Sequence, residues 1–261
     1  MVTEQLKNAI EKLKTDGRIV TNVYSANVLQ CATQFFNDEN ALLFFYNDHG
    51  VNRLYYYAHR LEDLTELIAT LPDSEYVLEF MTKSVIENSE VLKQLGFVCL
   101  AQLMRMSVRN CTLQTGISGI DKYYDETVGI FPKVDSARDI NHVLWNVFDT
   151  RASHLLNDEE MVTAIRNKEL LIHQNSGGGV DAVLQTVIQP HRFYINQVYN
   201  GADKGVIHAM LQKRLKEYTD AGGKYMYAWV DSNNIASIKF HQKYGLKHDG
   251  MWNMVYAFKK D

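Results

Sequence analysis

The chain is expected to be an α/β protein made of two similar units, each a mixed, mostly antiparallel twisted sheet flanked by helices. Three observations carry this expectation. Apolar residues alternate along the chain between the three-and-four spacing of helices and short runs of strand length. The first half orders them as two helices, a strand hairpin, a helix, a strand, a helix and a final strand region, and the second half repeats that order. Both halves also close alike: VLKQLGFVCL and FHQKYGLKHD each read apolar helix, Gly, then an apolar residue entering a strand. Gly96 and Gly245 are the expected helix C-caps, with positive φ.

Each element has a local reason. Leu6, Ile10 and Leu13 line one face of a helix ending near Gly17. A second helix is expected after Ser25, with Val28, Leu29, Ala32, Phe35 and Phe36 inward. ALLFFYN and VNRLYYYA flank Asp48-His49-Gly50, a hairpin signal. Leu61, Leu64, Leu67 and Ile68 mark a helix, EYVLEFM a strand, residues 86–95 a short helix and FVCLAQLMRMSV a strand region. NCTLQTGISGIDKYYDETVGIFP has no sustained period, so 111–132 is expected to link a domain at 1–110 to another at 133–261. Beyond it, Ser136 and Asp139 suggest a capping box for a helix with Ile140, Val143, Leu144, Val147 and Phe148 inward. A helix near 158–167, the strands ELLIHQ, DAVLQTVI and RFYINQVY, and a helix with Ile207, Met210, Leu211, Leu215 and Tyr218 on one side follow. KYMYAWV, a helix over NIASIKFHQKY and an apolar region reaching Phe258 complete the pattern.

Composition narrows the function. Hydrophobic residues are 46% and charged residues 22% of 261, with net charge -4, so neither disorder nor a strong pull toward nucleic acid or anionic membrane is expected. Cys31, Cys99 and Cys111 are far apart, which suggests free thiols in a reducing compartment. The amphipathic, charged N-terminus does not read as a signal peptide, and no apolar run approaches the roughly 20 residues of a membrane span. A cytoplasmic protein is expected.

The stretch from Arg192 to Phe258 carries a chemical signature. It reads strand, turn, helix, strand, helix, strands. Within it lie Asn234-x-x-Ser237-x-x-Phe240-His241-x-x-x-Gly245-Leu246 and the strand end Gln197-Val198-Tyr199 leading to Lys204-Gly205-Val206-Ile207. A Gly lets backbone approach a phosphate, and unpaired N–H groups at a helix start point at the anion. These segments resemble the acyl-CoA-binding core of the GNAT N-acetyltransferase superfamily. The first looks like that family's Asn-x-x-Ala run ending in Tyr-x-x-x-Gly-Phe, and the second partly like its Arg/Gln-x-x-Gly-x-Gly/Ala pyrophosphate loop. Ala202 stands where Arg or Gln is usual, Ile207 where a small residue is usual, and Asp203 adds a negative charge.

The resemblance implies acetyl-CoA as co-substrate and a small-molecule or peptide amine as acceptor, attacking the thioester directly in a ternary complex. Backbone near Val198 and Tyr199 would hold the thioester oxygen, and Asn234 would reach the pantetheine arm or cap its helix. His241 stands at the family's Tyr position and would act as the acid for the leaving thiolate or contact the sulfur without proton transfer, with Tyr244 the neighbouring alternative. No base stands out; His173, His191 and Asn196 lie on or near the central strands. In the first half LYYYA runs into His59-Arg60-Leu61-Glu62-Asp63, without Gly and with two carboxylates, and Leu92 matches His241. That half is expected to be a degenerate GNAT-like unit without a cofactor site.

Other motifs carry less. Ser176-Gly177-Gly178-Gly179 lies between strands and reads as a hairpin turn. The nine His show no metal-binding spacing, so no metal is expected, and GxSxG is missing. The Tyr run 55–57 is expected to alternate between core and surface of a sheet. Lys213-Arg214-Lys216 reads as the solvated face of its helix. Two other readings remain at this point: an inactive binding or regulatory protein on the same fold, and an aminoacyl transferase using charged tRNA, which the acidic balance disfavours.

Overall fold

The computed structural model describes residues 2–15, 17–114 and 128–260. In chain order the first elements are α1 (Val2–Thr15), β1 (Val20–Thr21), α2 (Val28–Cys31), β2 (Gln34–Asn37), β3 (Ala41–Asp48) and β4 (Val51–Ala58). Then come α3 (Thr65–Thr70), β5 (Glu75–Thr82), α4 (Val85–Gln94), β6 (Val98–Arg109), α5 (Ala137–Val147) and α6 (Asp158–Arg166). The chain continues with β7 (Leu170–Gln174), β8 (Val180–Gln189), β9 (Arg192–Asn200), α7 (Lys204–Asp220), β10 (Tyr225–Asp231), α8 (Ile235–Gln242) and β11 (Lys247–Lys259). Among the described residues, no helix is long and apolar enough to cross a membrane.

The chain forms two compact units, one of Met1–Leu103 with Met251–Asp261, the other of Met104–Gly250. The expected domains were 1–110 and 133–261. The last strand belongs with the first unit because β11 pairs with β5 from Trp252 opposite Thr82 to Lys259 opposite Glu75. Its alternate residues Met254 and Tyr256 are fully buried there with Tyr76, Leu78 and Phe97. Met106, near the end of β6, joins the second unit's core. Most of the expected linker, residues 115–127, lies outside the described residues.

In the first unit β2, β3 and β4 form an antiparallel meander. His49 and Gly50, at φ 51 and 92, make the two-residue turn whose twist suits a hairpin. β5 joins β4 in parallel. The apolar face of α1 buries Leu6, Ile10 and Leu13 against Leu42, Phe44 and Tyr57, as its spacing predicts. The helix expected across 28–36 stops at Cys31 instead. Phe35 and Phe36 lie on β2, opposite Phe44 and Leu43, where aromatic residues fit a pleated surface.

In the second unit β7 and β8 form a hairpin closed by Asn175–Gly179, with Asn175 N donating to Gly179 O at 2.9 Å. Ser176–Gly179 is therefore the expected turn. Two bodies of helix cover this unit. Ile140, Leu144, Met161 and Ile165 of α5 and α6 pack on Leu170, Ile172 and Val183, and α7 packs Ile207, Met210 and Leu211 on Phe193, Ile195, Met226 and Ala228. Ser136 lies in a 3-10 turn and caps nothing, while α6 carries a full capping box between Asn157 and Glu160. Val147 is exposed rather than inward. Arg214 also departs from expectation, being only 6% exposed. Its Nε donates to Thr186 Oγ1 at 3.1 Å, it pairs with Glu217, and its guanidinium lies 5.5 Å from the Phe131 ring centre. α7 is buried nearly all round, Val206, His208 and Gln212 included, so its charge pattern does not define a solvated face.

Candidate functional site

The site begins where two parallel strands part. β9 and β10 pair in register only at Phe193–Met226, Tyr194–Tyr227 and Ile195–Ala228, although β9 runs on to Asn200 and β10 to Asp231. On its other edge β9 has a bulge. Gln197 opposes Gln185 and Ile195 opposes Thr186, which leaves Asn196 as the extra residue. A bulge bends its strand and redirects the groups that follow. Beyond Ile195 the β10-facing edge of β9 is thus free of β10, and Gln197, Val198 and Tyr199 lie along that stretch. Gln197 is buried, Val198 packs toward the α7 core, and Tyr199 packs toward the α5–α6 core.

The turn from β9 into α7 comes next. Gly201 N donates to Asp181 O at 2.7 Å, which ties the turn to β8. A side chain at Gly201 would sit 2.7 Å from Tyr199 Oη and 3.2 Å from Asp181 O, so a larger residue there has to displace the tyrosine hydroxyl and crowd the carbonyl. Gly205, the Gly of the expected loop, lies in the first turn of α7, buried with Val206 and Ile207, while Lys204 is exposed beside it. Asp203, extended at φ -60 and ψ 145, occupies the N-cap without a side-chain capping bond. Val206 N donates to Asp203 O at 3.0 Å, and the N–H groups of Lys204 and Gly205 before it are the ones a helix start offers to an anion.

α8 supplies the remaining groups. Asn234 Oδ1 accepts from Ser237 N at 2.9 Å, so the capping role holds in this structure. One turn on, His241 is 2% exposed and its Nδ1 lies 2.8 Å from Ser237 O. A carbonyl only accepts, so Nδ1 carries the proton and Nε2 offers a lone pair. Nε2 is buried and unpartnered among the described residues. Burial pushes the imidazole down to about 4, outweighing the Ser237 carbonyl, which favours the charged form. Of the two roles expected for His241, the direction of this shift suits contact without proton transfer better than donation of a proton.

Tyr244 is fully buried. Its Oη donates to His208 O at 3.2 Å and lies 3.0 Å from His208 Nδ1. His208, which sequence reasoning missed, is likewise held neutral, with burial first and nearby Lys243 second lowering it to about 4. No spacing rule marks His208, because its partner Tyr244 lies 36 residues away in the turn after α8. Its ring centre is 4.9 Å from Phe240 and 5.7 Å from Tyr244. Tyr244 therefore packs and anchors. Asn200 Oδ1, at the end of β9, is a second buried acceptor without a partner among the described residues.

Of the candidate bases, His173 Nδ1 lies 2.6 Å from Asp181 Oδ1, at a second bulge. Asn196 accepts from Tyr194 Oη at 3.1 Å, and His191 is exposed in the β8–β9 turn. Among the described residues no three of His, Cys, Asp and Glu gather to hold a metal ion.

A parallel strand pair parts beside a bulge, and the next helix starts just beyond it. The chain has the fold of the GNAT N-acetyltransferase superfamily, in tandem form. A GNAT-family protein from Novosphingobium aromaticivorans superposes with TM-score 0.55 at 10% identity, over 90% of this chain and 94% of that one. A GNAT N-acetyltransferase from Sphaerobacter thermophilus gives 0.53 at 11%, over 84% and 76%. A tandem GNAT protein of the clavulanic acid biosynthesis pathway gives 0.52 at 7%, over 99% and 94%. No family model matches the sequence, and no curated protein matches it.

Proposed function

We propose that the chain is an acyl-CoA-dependent N-acetyltransferase whose second unit moves an acetyl group from acetyl-CoA to a primary amine of a small molecule or peptide. The opening between β9 and β10 beyond Ile195 and Ala228 carries this reading. It leaves strand-edge N–H and C=O groups for an extended amide-bearing arm. Two buried acceptors without partners, Asn200 Oδ1 and His241 Nε2, suit an arm that brings N–H or S–H donors. The start of α7, with Lys204 and Gly205 through Ile207, would receive the pyrophosphate, and Ser237 with Asn234 shapes the wall beside it. Ala202 and Asp203 make this a weaker anion site than the family pattern implies.

In this reading the acceptor reaches the site as a free amine, having lost one proton to solvent. Its lone pair forms the C–N bond at the thioester carbon. The C–S bond then breaks with its electron pair on sulfur, and the second proton lost from nitrogen ends on sulfur. The strand-edge N–H near Val198 stabilises the oxygen on which charge develops. His241 is unsuited to donating the proton to sulfur, so it orients the arm by accepting a hydrogen bond.

Calorimetry with acetyl-CoA tests the reading. One site per chain, abolished in Gly205→Glu, together with release of free thiol in the presence of amines, is the expected result. Saturable binding with no thiol release across a broad amine panel would leave a regulatory acyl-CoA-binding protein, which the missing proton donor favours.

A further inference from the structure

The first unit contains the same parting of strands, and there the chain itself fills it. β4 and β5 pair in parallel only at Asn52–Tyr76, Arg53–Val77 and Leu54–Leu78, though they continue to Ala58 and Thr82. Into the space beyond runs the segment after α1. Val20 and Thr21 pair antiparallel with Ala58 and Tyr57, and Thr21 Oγ1 donates to Tyr56 O at 2.6 Å. Asn22, 1% exposed, then spans both strands. Its Nδ2 donates to Leu54 O at 3.0 Å and to Glu79 O at 2.8 Å, and its Oδ1 accepts from Tyr56 N at 2.9 Å. Two residues on, Tyr24 Oη accepts from Met81 N at 2.6 Å.

We infer that Val20–Tyr24 is a built-in ligand of the first unit, with the Asn22 carboxamide standing where an active unit holds the amide made by transfer. The second half of this statement rests on the function proposed above. The chemistry matches group by group: a carbonyl oxygen on a strand N–H, and an amide nitrogen donating to carbonyls of both parted strands. The start of the following turn is also taken, since Arg60 N donates to Asp63 Oδ2 at 2.9 Å. A carboxylate there repels phosphate.

The comparison assigns groups in the second unit. Leu54 and Ile195 are the last paired residues of their strands and face the cores of α3 and α7. Tyr57 and Tyr199 both face the opposite core. With Asn196 as the extra residue, Tyr56 corresponds to Val198 and Glu79 to Trp229. Val198 N–H is then the donor to the acyl oxygen. The backbone carbonyls of Ile195 and Trp229 are the acceptors for the incoming nitrogen. The first unit is closed to acyl-CoA, and the chain binds a single molecule.

Residue-resolved amide hydrogen exchange on the full chain tests this. In the wild type, Tyr56 and Met81 amides are expected to be protected. Asn22→Ala accelerates Tyr56 about tenfold, and the milder Tyr24→Phe does so for Met81. Acetyl-CoA slows Val198 and leaves Tyr56 and Met81 unchanged. Unprotected Tyr56 and Met81 in the wild type, or a response of either to acetyl-CoA, would overturn the proposal. Asn22-dependent protection with no response to acetyl-CoA anywhere would keep the built-in ligand and remove the transferase reading instead.

Discussion

His241 shows how one hydrogen bond sets the chemistry a side chain can do. The resemblance put a candidate acid at this position on α8, yet Nδ1–H donates its hydrogen bond to the Ser237 carbonyl. Replacing it with Gln is expected to lower kcat/KM for acetyl-CoA about tenfold, the worth of roughly one hydrogen bond, while the pH profile between 6 and 8 keeps its shape. Loss of an alkaline limb in the variant would restore the imidazole as a proton donor. The same burial has a cost in acid. His208 and His241 are neutral when folded, with values near 4, and take a proton near 6.5 once unfolded. The unfolded chain therefore binds more protons between those values. Stability is full above about pH 6.5, falls by about 1.4 kcal/mol per pH unit for each ring as pH drops, and levels off below about 4. Denaturant midpoints measured from pH 7 to 4 check this, and His208→Gln should make the decline shallower.

At the scale of elements, Gly201 keeps the β9–α7 turn close to Tyr199 and β8. Gly201→Ala pushes a methyl into Tyr199 Oη and Asp181 O, and is expected to weaken acetyl-CoA binding about tenfold. Adding Tyr199→Phe should recover part of that loss, because only the carbonyl contact then remains close. A binding isotherm for each variant checks both statements. The α8 motif was legible in the sequence because a helix converts spacing directly into a face, and Asn234, Ser237 and His241 do share one. The parting of β9 from β10 was not legible. It depends on where pairing stops, which neither strand's own residues declare, and the bulge at Asn196 appears only against β8. Asn22 was hidden for a related reason, since its partners Leu54 and Glu79 lie 32 and 57 residues away.

Over the whole molecule, the repeated order of elements was visible, but not the membership of the last strand. Met251–Asp261 belongs to the unit formed by the N-terminal residues, and its pairing with β5 joins the two ends of the sequence. A chain cut after Gly250 is expected to lose the first unit. Removing the buried Met254 and Tyr256 side chains alone deletes contacts worth about 2–5 kcal/mol each, a large share of a domain's stability. Proteolysis and near-ultraviolet circular dichroism of the truncated chain would show it, and adding the missing strand as a peptide should restore protection of β5. The seam at 110–132 is therefore not a place to divide the protein into independent halves.

The late strand also separates the order of synthesis from the order of completion. Domains ordinarily fold in the order in which they are made. Here the first unit lacks the strand that covers the β5 edge until β11 has been made, and β11 follows every residue of the second unit in the sequence. The unit whose larger part precedes the other is completed after it.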